Sequence, residues 1–553
     1  GLGDVYKRQP LGGLGEIGLN MMVMECADDL FVIDAGLMFP GDYLPGVDIV
    51  IPSFQYLREN ARRFKAIVLT HGHEDHIGAV PFLLKEFPRP VFATGFTLAL
   101  LKEKLREHGI VDQCDLRTVK QGDRIKLGPF TVEFISVVHS IVDGVGLAVE
   151  TPEGLVLHSG DFKIDVTPVN GQYTDLNRFA ALGDRGVSLM LSDSTNIEHE
   201  GFTISERHIT AVIRDIFRGS EGRIIVAGFA SNISRIQQVL KLSMEFGRKV
   251  LFSGKSMVTN VEIAKNLGFL TFPEDIEISE RRLHDFPDDR LTVITTGSQG
   301  EPMSALSRMA RESHKTLKVQ PGDKIILSSK FIPGNEKAIT TVINRLYRLG
   351  AEVFYEKVSE IHTSGHANRE ELKLMLNIVK PSHFTPIHGE YRHLVKHTEL
   401  AMAMGFMGDR AVLAENGDIL TLKNGIVSKQ GRVETGRILV DGKGIGDIGE
   451  IVLRDRRKLS GEGMVIVFLA VDAETGDILY GPELISRGFI FLTTEGFILE
   501  DAKCIILEVL DELDHPAPVE IQEVSLQIQR SLKRFFHRVI DRFPMILPVI
   551  IPI

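Results

Sequence analysis

Residues 71–76, with the sequence His-Gly-His-Glu-Asp-His, constrain this chain more than any other segment. They directly follow residues 66–70, an apolar run that is typical of a buried strand. A strand that ends in a tight loop fixes the backbone, so the imidazoles two residues apart face one way and the Asp-His pair faces a second position. Neutral imidazole together with carboxylate suits zinc or a similar divalent ion. A solvated loop would contain one or two histidines by chance. Three histidines with an aspartate at this spacing, directly after a strand, instead predict a metal site.

The length and composition indicate a multidomain globular protein. The chain has 553 residues, too many for one hydrophobic core, so we expect two to four domains. Its three scattered cysteines, Cys26, Cys114 and Cys504, include no CxxC pair and indicate a reducing, cytoplasmic location. We expect no membrane association, since no apolar run is long enough to cross a bilayer. Residues 1–9 lack an initiator methionine, and we interpret them as a cloning or sequence-assembly leftover.

The charge distribution is uneven. A net charge of −11 argues against indiscriminate binding of polyanions through the whole surface. Residues 206–255 nevertheless contain nine Lys and Arg against four Asp and Glu, and residues 303–331 contain six against two. A basic surplus usually marks only a solvated face. Two such surpluses in an acidic chain nevertheless keep a phosphate-rich partner among the alternatives.

The order of apolar segments predicts the domain organisation. Before residue 200 we expect a helix at 77–86 and strands at 19–25, 30–35, 131–137, 146–150 and 154–158. Strands then alternate with helices, which indicates a parallel sheet with covering helices. In that region we expect strands at 223–227, 249–253, 291–295 and 324–328, and helices at 231–246 and 336–349. Beyond it we expect helices at 370–379 and 519–541, and strands at 383–387, 464–471, 504–507 and 543–551.

Three distant residues could complete the metal centre. His139 ends an apolar strand, Asp161 follows another, and His388 follows a third before a glycine. Each alone would more often be a satisfied structural residue. Counting the hexapeptide, however, four ligand positions follow strands, which is the geometry of a cluster at one sheet edge.

Two other patterns are given no functional role. The glycines at 13, 15 and 18 satisfy the dinucleotide-binding pattern, but a strand follows them rather than a helix, so we predict a tight turn near the active-site face. Asp48 and Asp441 could hold an accessory hard cation, although surface aspartates are more commonly solvated.

The metal motif resembles a known superfamily. The His-x-His-x-Asp-His motif, His139, Asp161 and the early Asp34 match the metallo-β-lactamase superfamily. The middle segment is similar to the insertion of its nucleic-acid-processing branch, the β-CASP nucleases, whose three motifs match Asp193, His366 and His388. Segments 12–18, 230–233, 332–336 and 387–392 are similar to the bacterial ribonuclease J family, from about residue 10 to the C-terminus.

The resemblance implies an α/β fold, a metallo-β-lactamase αββα sandwich with an inserted β-CASP α/β domain and a small C-terminal α/β domain. We expect the first part of the sandwich at 10–205, the β-CASP domain at 206–350, the second part with a linker at 351–440, and the C-terminal domain at 450–553.

The resemblance also implies two zinc ions per subunit, with Mn²⁺ or Mg²⁺ as alternatives in use. His71, His73 and His139 would hold one ion. Asp75, His76 and His388 would hold the other, with Asp161 as the bridge. Asp34 would hold a histidine tautomer.

Further roles follow from the same resemblance. Asp75, Asp193 and His366 would take part in catalysis, Asp193 by orienting and His366 by stabilising or protonating the departing ribose oxygen. Without the resemblance, Asp193 could simply cap a turn and His366 could be a structural loop residue. The residues implied to contact RNA and a terminal 5′-monophosphate are Ser231, Asn232, His362, Thr363, Ser364, Gly365 and His366. Ser-Asn at a helix start is otherwise more often an ordinary N-cap.

The implied function is a metal-dependent ribonuclease that hydrolyses phosphodiester bonds in single-stranded RNA. It would combine 5′→3′ exonuclease activity, preferring 5′-monophosphate ends, with endonuclease activity in rRNA maturation and mRNA decay. We expect a homodimer or homotetramer, or pairing with a paralogous subunit. The alternatives are a DNA-processing β-CASP nuclease, a small-molecule hydrolase and a low-activity structural subunit of an RNA-degrading complex. Within the family a histidine at the position of His388 accompanies RNA substrates, the long insertion argues against a small-molecule hydrolase, and the complete ligand set argues against an inactive subunit.

Overall fold

The computed structural model describes residues 6–41, 43–332, 335–356, 358–442, 444–446, 448–473, 475, 477–489, 496–512 and 521–553. The chain forms two compact units, Gly1–Phe39 with Val50–Ile438 and Pro40–Ile49 with Leu439–Ile553. Within the described ranges, every helix is too short or too polar to cross a membrane.

Strands dominate the first part of the chain. Its elements are β1 (Tyr6–Gly12), β2 (Leu14–Gly15), β3 (Met21–Cys26), β4 (Asp29–Ile33), β5 (Ile49–Pro52), α1 (Gln55–Glu59), β6 (Phe64–Val68), α2 (Glu74–Ile77), α3 (Val80–Glu86), β7 (Val91–Ala93), α4 (Gly95–Glu107), β8 (Leu116–Thr118), β9 (Arg124–Leu127), β10 (Phe130–Ser136), β11 (Val145–Thr151), β12 (Gly154–His158), α5 (Leu176–Arg185) and β13 (Leu189–Asp193).

Helices and strands alternate in the middle part. Its elements are α6 (Glu206–Arg218), β14 (Ile224–Ala227), α7 (Ile233–Glu245), β15 (Lys249–Ser253), α8 (Lys255–Asn266), β16 (Leu291–Thr295), α9 (Ala305–Ala310), β17 (Lys324–Leu327), α10 (Glu336–Arg348) and β18 (Glu352–Phe354).

The last part of the chain adds strands to the two sheets of the first part and then enters the second compact unit. Its elements are α11 (Arg369–Val379), β19 (His383–Ile387), β20 (Gly389–Glu390), α12 (Tyr391–Ala403), β21 (Asp418–Lys423), β22 (Ile426–Arg432), β23 (Arg437–Asp441), β24 (Gly444–Ile445), α13 (Glu450–Glu462), β25 (Met464–Val471), β26 (Ile478–Arg487), α14 (Gly496–Glu512), α15 (Ile521–Ile540) and β27 (Met545–Pro552). Short 3₁₀ helices lie at Val111–Gln113, Glu274–Ile276, Glu280–Asp285, Asp288–Arg290 and Gly408–Arg410.

Two sheets face each other across one hydrophobic core. The first has the order β22-β21-β1-β3-β4-β6-β7-β8 and the second the order β19-β13-β12-β11-β10-β9. Phe31 and Val68 of the first sheet belong to the same buried cluster as Leu147 of the second. On the other side of the second sheet, α5 and α11 bury Phe179 and Met375 in a separate cluster. The predicted strands 19–25 and 30–35 are confirmed as the antiparallel pair β3 and β4.

The inserted segment forms a five-stranded sheet with the order β15-β16-β14-β17-β18. Neighbouring strands in it are parallel, which confirms the prediction from alternating elements. Its core includes Ile225, Val293, Ile325 and Leu346. Because β18 pairs with β17, the inserted sheet extends beyond the boundary expected at residue 350.

Three further expectations need correction. Residues 504–507 lie in helix α14 rather than a strand, since the buried positions Leu499, Ala502, Ile506 and Leu510 recur at helical spacing. The helix expected at 77–86 is split into α2 and α3 around residues 78–79. The segment that we interpret as a leftover joins the first sheet from residue 6 onward, where β1 pairs with β3. Residues 1–5, and the start of the helix expected at 519, lie outside the described residues.

Candidate metal centre

The predicted ligands follow strands whose ends lie at one edge of the sandwich. β12, β13 and β19 are adjacent and parallel, so the loops that follow them begin side by side. The hexapeptide follows β6 of the facing sheet and continues into α2. The structure thereby brings all seven predicted ligands into overlapping clusters, namely His71, His73, Asp75, His76, His139, Asp161 and His388.

His71, His73 and His139 form a first group with converging ring nitrogens. Nε2 of His71 and Nε2 of His139 each lie 3.1 Å from Nδ1 of His73. Burial lowers the pKa of His71 and His139 well below the ordinary histidine value, and lowers the pKa of His73 to about 4. All three rings are therefore neutral at pH 7, the form in which imidazole binds a metal ion.

Asp75, His76 and His388 form a second group. Oδ2 of Asp75 lies 3.6 Å from Nε2 of His76 and 3.3 Å from Nε2 of His388. Oδ2 of Asp161 lies 3.2 Å and 3.5 Å from the same two nitrogens. It also lies 3.6 Å from Nε2 of His71, so one carboxylate oxygen reaches both groups.

Carboxylates set the charge of the second group. Burial works to lower the pKa of His76, but the attraction of Asp161 and Asp75 outweighs it and raises this pKa to about 10. A similar balance, led by Asp161 after burial, raises the pKa of His388 well above its ordinary value. A divalent cation can replace these protons, because it neutralises the same carboxylates and binds the deprotonated rings.

The outer ring nitrogens show that the donor set fits a metal. Nδ1 of His139 donates to the backbone carbonyl of Gly365 at 2.7 Å, and Nδ1 of His76 donates to Oδ2 of Asp34 at 2.7 Å. Carbonyl and carboxylate oxygens only accept, so in the neutral rings Nε2 keeps the lone pair that faces the cluster. Metal-binding histidines characteristically have such a partner on the outer nitrogen.

Two hydroxyl groups contact the outer nitrogens of other ligands. Oγ1 of Thr195 lies 2.6 Å from Nδ1 of His388, and Oγ1 of Thr70 lies 3.0 Å from Nδ1 of His71. Thr70 also donates its backbone N–H and its hydroxyl to Asp34, both at 2.8 Å. Sequence reasoning missed both threonines, although each lies within two residues of a predicted site residue.

Asn20 and Gly36 fix the loop that carries Asp75, and neither was predicted. The backbone N–H of Asn20 donates to the carbonyl oxygen of Asp75 at 3.1 Å, and its side-chain amide donates to the same oxygen at 3.0 Å. A Cβ at Gly36 would lie 1.6 Å from that oxygen, so only glycine fits there. The contacts join positions far apart in the chain, and the local sequence carries no signal for them.

The glycine turn at residues 12–18 lies beside this site. β2 pairs in parallel with β20, placing Leu14 opposite Gly389, directly after His388. β3 follows the turn, which confirms that a strand rather than a helix comes next. The turn therefore supports the ligand loops.

Asp193 and His366 pair next to the second group. Nδ1 of His366 lies 2.8 Å from Oδ2 of Asp193, and its ring stacks on His388 with centroids 5.3 Å apart. Burial works to raise the pKa of Asp193, but the neighbouring imidazole of His366 outweighs it and holds the pKa well below its usual range. Asp193 also accepts the backbone N–H of Thr195 at 3.0 Å, so it caps the turn as well. The His366 side chain is 20% exposed, whereas that of Asp161 is 4% exposed.

The segment from His362 to His366 spans the distance from the inserted sheet to the cluster. At its end, the carbonyl of Gly365 accepts from His139, and the ring of His366 stacks on His388. Ser364 accepts the backbone N–H of His366 at 3.2 Å, and Thr363 donates its hydroxyl to the carbonyl of Ile204 at 2.6 Å. His362 is half-buried, and burial together with nearby cations lowers its pKa to about 3.

Ser231 and Asn232 lie at the start of α7. Oδ1 of Asn232 accepts the backbone N–H of Arg235 at 3.0 Å, which is the ordinary N-cap interaction. Nη1 of Arg235 in turn donates to the carbonyl of Ile361 at 2.7 Å, beside His362. Arg235 therefore connects the start of α7 to the segment that contains His362.

Three of the nine basic residues at 206–255 are internal. Arg223, Arg235 and Arg248 are 4%, 3% and 3% exposed. Arg223 pairs with Asp323, and Arg235 pairs with Glu206, each at 2.6 Å. These charges stabilise the interior of the inserted segment, so the count of basic residues overstated the charge available to a phosphate-rich partner.

Asp48 and Asp441 are occupied by other contacts. Oδ2 of Asp48 accepts the backbone N–H of Gly442 at 2.7 Å, and Oδ2 of Asp441 pairs with Arg456 at 2.6 Å. Across the part of the chain that the structure describes, neither residue belongs to a cluster of side chains that could hold a metal ion, so we propose no accessory cation site.

Known protein families match successive parts of the chain. The Beta-lactamase superfamily domain matches residues 32–175, and the Ribonuclease J, beta-CASP domain matches residues 221–346. The Zn-dependent metallo-hydrolase RNA specificity domain matches residues 351–411, and the Ribonuclease J C-terminal domain matches residues 451–553. These matches confirm the predicted fold class of a metallo-β-lactamase sandwich with a β-CASP insertion and a C-terminal domain.

Curated relatives match almost the whole chain. Ribonuclease J 1 of Streptococcus pyogenes is 41% identical, covering 98% of this chain and 96% of the relative. Ribonuclease J2 of Bacillus subtilis is 40% identical, covering 98% of both. Ribonuclease J of Thermus thermophilus is 42% identical, covering 98% and 94%. A solved protein of unknown function from Enterococcus faecalis V583 shares the fold, with a TM-score of 0.54 at 15% identity over 76% of this chain and 100% of that one. The chain belongs to the ribonuclease J family.

Proposed function

We propose that this chain is a metal-dependent ribonuclease that hydrolyses phosphodiester bonds in single-stranded RNA. The observation that carries the proposal is Asp161, whose Oδ2 lies within 3.6 Å of ring nitrogens from both ligand groups. Such a carboxylate suits a bridge between two cations. Membership of the ribonuclease J family and the match to an RNA specificity domain favour RNA as the substrate.

Two zinc ions per subunit fit the donor set, with Mn²⁺ or Mg²⁺ as alternatives in use. His71, His73 and His139 would hold the first, and Asp75, His76 and His388 the second, with Asp161 between them. When bound, two such ions lower the pKa of a shared water, orient the scissile phosphate and stabilise the charge of an in-line displacement.

The chain's own residues supply orientation and proton transfer. Asp34 holds His76 with its lone pair toward the cluster, as Gly365 does for His139. Asp75, kept ionised by His76 against the effect of burial, orients the attacking water. His366, aligned by Asp193, delivers a proton to the departing ribose 3′-oxygen as the phosphorus–oxygen bond breaks.

Residues around α7 would recognise the 5′ end of the RNA. Ser231 and Asn232 lie at the start of a 13-residue helix, where the helix dipole favours an anion. With His362, Thr363 and Ser364 they would hold a terminal 5′-monophosphate, so that the enzyme trims mononucleotides in the 5′→3′ direction and also cuts internally. rRNA maturation and mRNA decay are the processes that use such an activity.

The remaining features of the proposal concern organisation. The domains would span 10–205, 206–350, 351–440 and 450–553, with β18 reassigned from the third of these segments to the inserted domain. The assembly implied by the resemblance to the family is a homodimer or homotetramer, or a pair with a paralogous subunit. Scattered cysteines support a cytoplasmic location. A DNA-processing nuclease and a low-activity subunit are not favoured, given the family and the complete ligand set.

The experiment compares matched RNAs that carry a 5′-monophosphate, 5′-triphosphate or 5′-hydroxyl end, with a DNA of the same sequence. We expect fastest degradation of the monophosphorylated RNA with release of mononucleotides. Equal rates on all three RNA ends would refute the 5′-phosphate site, and faster cleavage of DNA would refute the RNA assignment.

A further inference from the structure

A chain of buried charged side chains runs between the metal centre and α7. Lys163, Glu206 and Arg235 are 1%, 7% and 3% exposed. Oε1 of Glu206 accepts from Nζ of Lys163 at 3.3 Å, and Oε2 accepts from Nη2 of Arg235 at 2.6 Å and from Nε2 of Gln238 at 2.9 Å. Burial of such charges is tolerated only when they are paired, and here one carboxylate joins two cations.

One end of this row of charged side chains, at Lys163, lies against the ligand loops. Lys163 comes two residues after Asp161, and its backbone N–H donates to the carbonyl of Val138 at 2.7 Å, beside His139. The backbone N–H of Glu206 donates to Oδ2 of Asp165 at 3.0 Å. The segment that carries Asp161 is therefore attached to the start of α6 by both side-chain and backbone contacts.

The other end of this row, at Arg235, contacts the segments that carry the phosphate-binding candidates. Arg235 lies in the first turn of α7, capped by Asn232. Its Nη1 donates to the carbonyl of Ile361 at 2.7 Å and to the hydroxyl of Ser328. Ser328 donates to the same carbonyl at 2.8 Å. One guanidinium thus holds together the start of α7, the end of β17 and the residue before His362.

We propose that Arg235 and Glu206 are positioning residues that set the spacing between the metal centre and the site for the 5′-phosphate of RNA, an inference that rests on the proposed function. An exonuclease that releases single nucleotides must hold the terminal phosphate one nucleotide from the scissile bond. A planar guanidinium fork with several fixed partners keeps that spacing better than a flexible lysine would. Small displacements matter, since a 1 Å misplacement can cost about a hundredfold in rate.

The chain offers a matched control for the loss of a buried ion pair. Arg223 and Asp323 are 4% and 2% exposed and pair at 2.6 Å in the same inserted sheet. They precede β14 and β17, whereas Asn232 and Ser328 come after these strands. Four residues of strand span about 13 Å, so this pair lies at the opposite edge of the sheet from the phosphate-binding candidates.

The test compares the full-length wild type with Arg235→Lys, Ser328→Ala and Asp323→Asn. Single-turnover rates are measured on 5′-monophosphorylated and 5′-hydroxyl RNA, together with the length of the first product and the bound metal. We expect Arg235→Lys to lower the ratio of the two single-turnover rates about 10- to 100-fold, and to lengthen or mix the first product. Ser328→Ala, a neutral change that keeps the ion pair, is expected to shift the ratio in the same direction by a smaller factor. Asp323→Asn should keep the wild-type ratio.

Two results would overturn this inference and leave the proposed function standing. A wild-type ratio in Ser328→Ala and in folded Arg235→Lys would do so, as would an equal fall in Asp323→Asn, because that would reveal a general effect of instability. If Arg235→Lys does not fold, Ser328→Ala decides the matter. A wild-type enzyme with equal rates on both RNAs would instead overturn the proposed 5′-end recognition, and this inference with it.

Discussion

The metal-binding loops and the phosphate-binding candidates are held by different kinds of contact. Outer nitrogens of the ligands bond to neutral groups or one carboxylate, such as the hydroxyl of Thr195 and the carbonyl of Gly365. The start of α7 is instead held through Arg235 and the buried Glu206–Lys163 pair. Most contacts of the outer nitrogens join residues near strand ends of the sandwich. The contacts of Arg235, Glu206 and Lys163 instead join the sandwich to the inserted segment.

This difference determines how each region should respond to substitution. Loss of one neutral hydrogen bond leaves a ligand present but less well oriented, which is a graded effect. Loss of one partner from a buried ion pair leaves an uncompensated charge and costs about 3–5 kcal/mol. The metal centre should therefore be tunable by small changes, and the 5′-end site should fail more abruptly.

The largest effect should come from removing a ligand. His76→Ala is expected to lower cleavage at least about a thousandfold while RNA binding is retained, since the ring reaches Asp161 and Asp75 but the change leaves α7 intact. Cleavage rates and RNA binding in a filter assay would check this. The exposed His284→Ala is the control and should behave as the wild type. Wild-type activity in His76→Ala would remove the metal mechanism.

The next effect concerns the proton donor. His366→Ala is expected to lower kcat about 100- to 10,000-fold with bound metal unchanged, because the residue is assigned a proton-transfer role and not a ligand role. Asp193→Asn should give a smaller fall, since it only orients the ring. Kinetics and metal analysis on the same preparations would check both. Loss of metal in His366→Ala would contradict the assignment.

A smaller effect is expected at the hydroxyl contacts. Thr195→Val removes the group 2.6 Å from Nδ1 of His388 and should weaken metal affinity about 10- to 100-fold. Thr195→Ser keeps the hydroxyl and should restore most of the affinity. Competition with a chelator would measure it. Equal affinity in the valine variant would show that the outer contact does not orient the ligand.

The smallest effect concerns stability alone. His397 is fully buried behind Ser194, and burial lowers its pKa to about 3. Because the unfolded chain binds this proton near pH 6.5, stability is present above that pH and is lost as the pH falls toward 3, by about 2 kcal/mol between pH 7 and pH 5. His397→Gln should reduce that loss. Urea unfolding of both proteins at the two pH values would check this, and identical pH slopes would contradict it.

The sequence supported the fold more fully than the contacts that hold it together. The strands β15 and β16 were predicted with correct ends because each has a short apolar run, rich in valine, leucine, isoleucine or phenylalanine, as buried parallel strands do. The run at 504–507 was misread because four apolar residues fit a strand or a helix equally well. The surplus of arginines was misread because a count of charges cannot distinguish Arg235, which is buried, from a surface residue.

The same limit applies to the site. The seven candidate ligands could be singled out because their residue types and their positions after strands are visible in the sequence, and the structure brings them together. Asn20 and Thr195 could not be, since each acts through a contact with a residue 55 or 193 positions away. Only the folded backbone brings these groups together.

The central claim is that the Asp161-centred cluster holds two metal ions on which RNA cleavage depends. The most direct test measures bound metal per chain by elemental analysis, together with cleavage of end-labelled 5′-monophosphorylated RNA, before and after chelation. We expect two ions per chain, loss of cleavage with loss of metal, and recovery when zinc or manganese is returned. Undiminished cleavage by metal-free protein would contradict the account.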